Sequence, residues 1–245
     1  MYIFIVISSI LSLIVQEKKQ ITFPANDGIQ LTADVYMAHE KSAPLIVLFH
    51  QARWSRGEYL EIAPKLNRLG YNCIAVDLRS GGEVNGVDNL SVKEAENAMK
   101  QTRYIDAYQD IDAAMKYAKE YFADGKLIIW GSSYSSALTL RYAGENPDAI
   151  DGALAFSPGE YFKSQGKSGT YITEGAALIT KPVFITSAKG EKNSWWKIYE
   201  AIPGDQKQYF LPASAGNHGS RALWDKFGDS MKYWDAVEEF LESIE

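Results

Sequence analysis

Five short apolar runs, separated by other segments, constrain the fold of this chain more than any other feature of its sequence. The runs cover residues 43–50, 71–77, 127–130, 150–157 and 181–188. An apolar run of this length is typical of a strand that is buried on both faces of a parallel sheet. Strands that alternate with helices form right-handed βαβ units. We therefore predict an α/β fold, with a mostly parallel central sheet and helices on both faces.

Turn residues and helical spacing complete this pattern. The Asn-Asp-Gly turn at 26–28 lies between two β-patterned segments and predicts a hairpin. A further strand is predicted over 206–212, and 158–175 is expected to be irregular. Apolar residues at helical spacing predict helices over 58–69, from about 97 to about 125, over 193–201 and over 221–243. No linker divides the chain, so we expect one domain over 17–245.

Residues 1–16 differ from the rest of the chain because almost all of them are apolar. The run is too short for a comfortable membrane span of about 20 residues, and it resembles the apolar core of a secretory signal peptide. We therefore expect a signal peptide over 1–16 and a protein that is exported to the periplasm or the medium. An uncleaved N-terminal anchor and a cytosolic N-terminal segment are the alternatives. A membrane tether, or a tethered structural protein, would depend on this segment alone.

Charge and cysteine content argue against several classes of protein. The net charge is -6, and no basic block is longer than Lys18-Lys19, which argues against a nucleic-acid partner. Cys73 is the only cysteine, so the chain cannot form an internal disulfide. Cys73 lies in an apolar run and is expected to be a buried strand residue. No cluster of Cys, His and Asp has the spacing of metal ligands, and we expect neither a metal nor a cofactor.

The segment that follows the run 127–130 points to a nucleophile. It reads Gly131-Ser132-Ser133-Tyr134-Ser135, and a segment with helical spacing follows it. A sharp turn from strand to helix forces its apex residue into a strained backbone conformation, so residues two positions away must be small. Gly131 and Ser135 meet that requirement around Ser133, although the G-x-S-x-G pattern has glycine at the last position. We predict that Ser133 is a nucleophile and that the Tyr134 amide donates to an oxyanion. A serine that only caps the helix is the alternative.

A serine nucleophile needs a base that takes its proton. The chain has three histidines. His39 is expected on an exposed loop, and His50 ends the strand over 43–50. His218 follows the last predicted strand and precedes the last helix, from where it can reach the carboxyl edge of the sheet. We therefore predict that His218 is the base.

The base in turn needs a carboxylate that orients it, and three candidates are open. Glu191 lies directly after the strand over 181–188 and is preferred. Glu160 follows the preceding strand and is the second choice. Asp205 follows a helix and is less favoured.

The order Ser133, Glu191, His218 resembles that of the α/β-hydrolases. The stretch VLFHQARWSRGEY resembles the segment after the third strand of that family, which supplies a second amide to the oxyanion hole. The resemblance implies that Ala52 is this donor, with Gln51 as the alternative. It extends over nearly all of residues 20–245 and implies the α/β-hydrolase fold.

Two further features follow from the resemblance. The stretch VDLRSGG resembles the loop after the fourth strand of the family, which implies structural roles for Asp77 and Arg79. The compact length is similar to that of the dienelactone-hydrolase-like branch. The nucleophile of that branch's namesake is a cysteine, so its substrate is not transferred to this chain.

Aromatic residues are frequent in the loops that we expect at the carboxyl edge of the sheet. A cleft lined by such residues suits a hydrophobic acyl or aromatic substrate, although aromatic residues also pack loops. The segment 160–174 could form a small cap over the cleft. The residues concerned are Trp54, Tyr134, Tyr161, Phe162, Tyr171, Trp195 and Trp196.

Together these features predict a serine hydrolase that cleaves a small-molecule carboxylic ester or related acyl compound through an acyl-enzyme. The sequence does not separate an ester from an amide substrate, so a peptidase of the same fold is an alternative. A non-catalytic binding protein is the rival from a different class. It would fit Gln51, which stands where the α/β-hydrolases often have glycine, Ser135, which replaces the last glycine of the motif, and the three open candidates for the acid.

Overall fold

An eight-stranded sheet forms the centre of residues 18–244, the part of the chain that the computed structural model describes. Its strand order is β1-β2-β4-β3-β5-β6-β7-β8. The strands are β1 (Lys19–Pro24), β2 (Gln30–Tyr36), β3 (Leu45–Phe49), β4 (Asn72–Val76), β5 (Leu127–Ser132), β6 (Gly152–Phe156), β7 (Val183–Thr186) and β8 (Lys207–Phe210).

The pairing of the strands confirms the predicted sheet. β1 and β2 form the expected hairpin, and β2 also runs antiparallel to β4. Every other pair, from β4 through β3 to β8, is parallel. The carboxyl ends of β3 to β8 therefore lie at one edge of the sheet, where the predicted site residues follow the strands.

Helices cover both faces of the sheet. They are α1 (Ile62–Arg68), α2 (Leu90–Asn97), α3 (Tyr108–Tyr121), α4 (Tyr134–Glu145), α5 (Tyr171–Ala176), α6 (Lys192–Ala201) and α7 (Ser230–Glu242).

Strand β3 shows how the two faces are separated. Leu45, Val47 and Phe49 belong to a core that also contains residues of α3, α4 and α6. Ile46 and Leu48 point the other way, into a second core with residues of α1 and α7. Because successive strand residues face opposite sides, a fully apolar strand contributes to both cores. This is why the strands appear in the sequence as unbroken apolar runs.

The predicted long helix from about 97 to about 125 is wrong in its first part. The chain instead forms α2, which ends at Asn97, and then α3, which begins at Tyr108. Between them Met99 has a φ of 53°, a left-handed conformation that no helix continues through. The N-terminus of α2 is fixed by the Asn89 side chain, which accepts a hydrogen bond from the Val92 amide.

Three other predicted boundaries also differ. The helix predicted over 58–69 begins at Ile62, after a short 3₁₀ turn over Arg56–Tyr59. The helix predicted over 221–243 begins at Ser230, and the residues before it form a separate 3₁₀ turn over Ser220–Leu223. The segment 158–175, expected to be irregular, contains the start of α5.

Two buried arginines hold the loops after β4 in place. Arg56 pairs with Asp77 at 2.6 Å and with Asp34 at 3.0 Å. Arg79 pairs with Asp110 at 2.6 Å and with Asp27 at 2.8 Å. Both partners of each pair are needed, because an unpaired buried charge is strongly destabilising.

The structural roles expected for Asp77 and Arg79 agree with these contacts. Cys73 is fully buried in β4, as expected. The N-terminal segment 1–16, expected to be a signal peptide or an anchor, lies outside the described residues. Within residues 18–244, no helix combines the length and apolar character that crossing a membrane requires.

Candidate active site

Ser133 occupies the turn between β5 and α4 in a strained conformation. Its φ and ψ are 57° and -121°, outside the regions that most residues adopt. Such a conformation costs about 1–3 kcal/mol and is found mainly at functional sites. The residue is 8% exposed, so its hydroxyl is accessible at the carboxyl edge of the sheet. This is the turn that the sequence predicts around a nucleophile.

Gly131 is required by the close packing of this turn. A Cβ atom at position 131 would lie 2.5 Å from Ser136 Cα and 2.6 Å from the Ser135 carbonyl oxygen. Backbone atoms cannot move away as a flexible side chain could. The turn therefore excludes any side chain at position 131, as the motif requires.

Ser135 departs from the glycine of the motif and uses its hydroxyl. Its Oγ accepts a hydrogen bond from the Ser132 amide at 2.9 Å. The same Oγ lies 2.8 Å from the Phe49 carbonyl and 2.9 Å from the Ser132 carbonyl, to which it can donate its hydrogen. The side chain therefore links the end of β3 to the turn after β5. Serine at this position therefore adds hydrogen bonds to the turn, and it does not indicate a site that has lost its catalytic function.

The structure brings the three predicted residues together in one hydrogen-bonded chain. His218 Nε2 lies 2.8 Å from Ser133 Oγ, and His218 Nδ1 lies 2.7 Å from Glu191 Oε1. About a third of the His218 and Glu191 side chains is exposed, 33% and 30%. A base that contacts both the hydroxyl and a carboxylate matches the geometry of nucleophilic catalysis by serine.

The second oxygen of Glu191 has a partner that the sequence analysis missed. Ser157 Oγ donates to Glu191 Oε2 at 2.7 Å and accepts from the Gly219 amide at 2.9 Å. Burial alone would raise the pKa of Glu191, but the hydrogen bonds from His218 and Ser157 lower the pKa below its usual range. Glu191 therefore stays ionised beside His218.

Ser157 has a visible signal in retrospect. It directly follows β6, as Ser133 follows β5, and it has the same φ of 57°. A small polar residue at the carboxyl end of a central strand could have been considered as part of the site. Its partner, however, is 34 positions away in the chain, which the sequence does not show.

Glu160 and Asp205, the other candidates for the carboxylate that orients His218, have different surroundings. The Glu160 carboxylate accepts hydrogen bonds from the Ile172 and Thr173 amides, at the N-terminus of α5. Asp205 precedes β8 and is exposed at the amino end of that strand, the opposite edge from Ser133. Among the three carboxylates considered, Glu191 is the one that contacts His218.

The two candidate donors after β3 differ in their hydrogen bonds. The Gln51 amide donates to Glu58 Oε2 at 2.7 Å and is therefore occupied. Among the hydrogen bonds of residues 18–244, none is donated by the Ala52 amide. The Tyr134 amide is the first of α4, and such an amide has no partner within its helix. Ala52 and Tyr134 are thus the amides that can bind a developing negative charge.

Two residues of the predicted aromatic lining belong to the hydrophobic core instead. Phe162 and Trp195 are 1% and 0% exposed and belong to the hydrophobic core, so they line no cleft. Tyr161 is 36% exposed, and its hydroxyl donates to the Ser157 carbonyl at 2.7 Å. Tyr134 is buried, with the Tyr104 ring 4.6 Å from its own.

A pocket of about 370 Å³ lies near the loop after β3, and Ser133, Glu191 and His218 are not among the residues that line it. Arg53, which follows Ala52, and Tyr104, which packs on Tyr134, line it together with Gln165. It is large enough for part of a small ligand. Within the described residues no group of three or more His, Cys, Asp or Glu side chains could hold a metal ion.

Comparison with known proteins shows the family and the fold of the chain. The model of the family described as serine aminopeptidase, S33 matches residues 40–195, which include the turn around Ser133 and the carboxylate of Glu191. His218 lies beyond the matched segment. No curated protein matches the chain in sequence.

Solved structures with the same fold cover almost the whole chain. The esterase Pf2001 of Pyrococcus furiosus aligns with a TM-score of 0.70 and 18% identity, over 93% of this chain and 92% of its own. Est1E of Butyrivibrio proteoclasticus, solved with ferulic acid, gives 0.71 and 15%, over 91% and 98%. A dienelactone hydrolase of Anabaena variabilis gives 0.68 and 10%, over 93% and 97%. At these identities the similarity shows the fold.

Proposed function

The chain belongs to the serine aminopeptidase, S33 family of α/β-hydrolases, and from this premise we propose that it hydrolyses small-molecule carboxylic esters or related acyl compounds. Ser133 is the nucleophile, His218 the general base and Glu191 the acid that orients it. The observation that carries this proposal is the hydrogen-bonded chain from Ser133 through His218 to Glu191, with distances of 2.8 Å and 2.7 Å.

The first half of the reaction forms an acyl-enzyme. His218 Nε2 takes the hydroxyl proton as Ser133 Oγ attacks the carbonyl carbon, and a tetrahedral intermediate forms. The amides of Ala52 and Tyr134 donate to its negatively charged oxygen. His218 then gives its proton to the leaving oxygen, and the bond between this oxygen and the carbonyl carbon breaks.

The second half of the reaction releases the carboxylic acid product. Water loses a proton to His218 as its oxygen bonds to the acyl carbon, and a second tetrahedral intermediate forms. The bond between the acyl carbon and Ser133 Oγ then breaks, and the protonated His218 gives its proton to Ser133 Oγ. Throughout, ionised Glu191 accepts the Nδ1 hydrogen of His218 and stabilises the imidazolium. The low pKa of Glu191 supports this role, because the carboxylate does not take the proton itself.

The choice of an ester rests on the named neighbours. The Pyrococcus furiosus structure is an esterase, and the Anabaena variabilis structure is a dienelactone hydrolase. Aminopeptidase activity is the second candidate, because the matching family is described as serine aminopeptidases. Initial rates with p-nitrophenyl esters and with amino-acid p-nitroanilides separate the two, since both substrates release a coloured product.

Labelling with a fluorophosphonate tests the nucleophile. The chain from Gln16 onward is treated with the reagent, and its peptides are examined by mass spectrometry. We expect a label on the peptide that contains Ser133, and none there in Ser133→Ala. A folded protein that takes up no label would support the non-catalytic binding protein instead.

Export is a separate part of the proposal. We propose that residues 1–16 act as a signal peptide, because the segment is almost entirely apolar and too short for a comfortable membrane span. N-terminal sequencing of the protein from its native host tests this. A mature chain that still begins at Met1 would favour the anchor or a cytosolic segment.

A further inference from the structure

Glu58 is a buried carboxylate close to the proposed catalytic residues. It lies in the 3₁₀ turn after β3 and is 0% exposed. Its Oε2 accepts a hydrogen bond from the Gln51 amide at 2.7 Å, and its Oε1 accepts one from Ser132 Oγ at 2.7 Å. Burying a carboxylate is unfavourable unless its oxygens are hydrogen-bonded. Both oxygens of Glu58 meet this condition, and neither contacts His218.

Each partner of Glu58 directly precedes a residue that the reaction uses. Gln51 precedes Ala52, and Ser132 precedes Ser133. The single carboxylate therefore joins the loop that carries one oxyanion donor to the turn that carries the nucleophile. Glu58 and Ser132 are 74 positions apart in the chain, so contacts of this kind have to hold the two segments together.

The orientation of the Ala52 amide is fixed by the same loop. His50 Nε2 accepts a hydrogen bond from the Leu78 amide at 2.9 Å, so the ring proton is on Nδ1, which donates to the Gln51 carbonyl at 2.8 Å. In a trans peptide the N–H points away from the C=O. The Ala52 N–H therefore points away from His50. Glu58 holds the other side of Gln51 through its amide.

A third loop is attached through Ser132. Ser132 Oγ donates to Glu58 and accepts a hydrogen bond from the Ser220 amide at 2.9 Å. Ser220 is two positions after His218 and begins the 3₁₀ turn that follows it. The contacts of Glu58 thus reach the loops of the oxyanion donor, the nucleophile and the base.

We propose that Glu58 is a positioning residue for hydrolysis, whose carboxylate holds the Ala52 amide, Ser133 and the His218 loop in the arrangement that the reaction needs. This inference rests on the proposed function. It assigns no step of the chemistry to Glu58. We predict that replacing the carboxylate lowers transition-state stabilisation and changes substrate binding little.

The protonation state of Glu58 gives this role a specific signature. Burial raises the pKa of Glu58 to about 7, and the groups that act on it electrostatically include His218 and Arg221. Tyr59 and Tyr134 also face it. Only the ionised carboxylate can accept from both Gln51 and Ser132, because a protonated oxygen must donate its hydrogen. Activity should therefore fall when Glu58 is protonated.

The decisive variant is Glu58→Gln, with Glu61→Gln as the control because Glu61 is the nearest exposed glutamate. We expect kcat for a p-nitrophenyl ester to fall about 10- to 100-fold, since small displacements of reacting groups cost rates of this order. KM should stay within about twofold. On the acid side, log(kcat/KM) of the wild type should fall more steeply with decreasing pH than that of Glu58→Gln.

Fluorophosphonate labelling separates this inference from the proposed function. If Ser133 of the wild type is not labelled, the proposed function fails and this inference with it. If the wild type and Glu58→Gln are labelled at equal rates, with equal kcat and equal slopes, the role of Glu58 alone is refuted. If Glu58→Gln does not fold, the Ser132→Ala variant decides. It removes the hydroxyl that joins Glu58 to the turn around Ser133 and to Ser220. An unchanged kcat in Ser132→Ala would overturn the proposal, and a fall of about tenfold or more would support it.

Discussion

Ser157 donates its hydroxyl hydrogen to Oε2 of Glu191 across 2.7 Å, so that the carboxylate is held from the side that His218 leaves free. The two serines with left-handed φ at the ends of β5 and β6, Ser133 and Ser157, thus contact opposite ends of the same chain of hydrogen bonds. One contacts the base, and the other fixes the orientation of the acid. The orientation of the Glu191 carboxylate therefore depends on Ser157, at the end of β6, as well as on the segment that carries Glu191.

Ser157→Ala should lower kcat by about tenfold, because Glu191 loses one of its hydrogen bonds and orients His218 less well. Loss of this bond should also raise the pKa of Glu191 toward its usual value. Steady-state rates with a p-nitrophenyl ester measure the effect. Ser168→Ala is a matched control, since the Ser168 hydroxyl also donates to a glutamate, Glu174, but on an exposed surface. Equal rates in the two variants would show that Ser157 has no part in orienting the acid.

Glu191→Gln should lower kcat by about 10,000-fold, because an amide cannot stabilise the imidazolium of His218 or fix its tautomer. Glu160→Gln provides the comparison. Its carboxylate holds two amides at the start of α5, so this variant should lose some stability while kcat changes by no more than a few-fold. Turnover numbers and thermal unfolding of both variants test the pair. The reverse ranking of the two kcat values would assign the acid to Glu160.

Ser135→Gly restores the glycine of the nucleophile motif and should nevertheless destabilise the protein. The hydroxyl contacts of Ser135 with Phe49 and Ser132 are lost in the buried turn, which should cost about 2 kcal/mol in the free energy of unfolding. Urea denaturation measures this. Ser194→Gly, in the first turn of α6 and exposed, should cost only about 0.5 kcal/mol. A Ser135→Gly protein as stable as the wild type would contradict the role given to the hydroxyl.

The pH dependence of stability should carry a contribution from Glu58. Burial raises its pKa to about 7 in the folded protein, whereas an unfolded glutamate titrates near about 4.3. Between these values the folded state binds more protons, so the contribution of Glu58 is fully present below about pH 4.3 and is lost as the pH rises to about 7.

The wild type minus Glu58→Gln difference in the free energy of unfolding should therefore decrease with pH, by at most about 1.4 kcal/mol per pH unit. Urea denaturation of both proteins at several pH values between about 4 and 8 tests this. A difference that grows with pH over this interval would mean that the pKa of the buried carboxyl is lowered by folding.

The sequence predicts the strands well because burial on both faces leaves a plain signal. It predicts helix boundaries less well, because helical spacing reports buried positions as well as helices. Leu223 is 1% exposed and fits the spacing of the last helix, yet it lies in a separate 3₁₀ turn before Ser230. Met99 interrupts the predicted long helix by a local backbone conformation that its residue type does not announce.

The candidate site likewise has features that the sequence predicts and features that it does not. Ser133, Glu191 and His218 could be found because each follows a recognisable strand, and because their order in the chain resembles a known family. The contacts of Ser157 with Glu191 and of Glu58 with Ser132 could not be predicted, since they join residues 34 and 74 positions apart. Such roles depend on how the loops pack, which a local pattern does not contain.

The distance along the chain between Ser133 and His218, 85 positions, has a consequence for biosynthesis. The segment that carries the serine has been made once β5 and α4 have been synthesised, whereas the histidine follows β8. A growing polypeptide on the ribosome therefore contains its nucleophile well before its base. Because a domain folds as a unit, the two can meet only after β8 and the loop that follows it have been synthesised. The nascent protein therefore acquires its chemical reactivity only after that loop has been made.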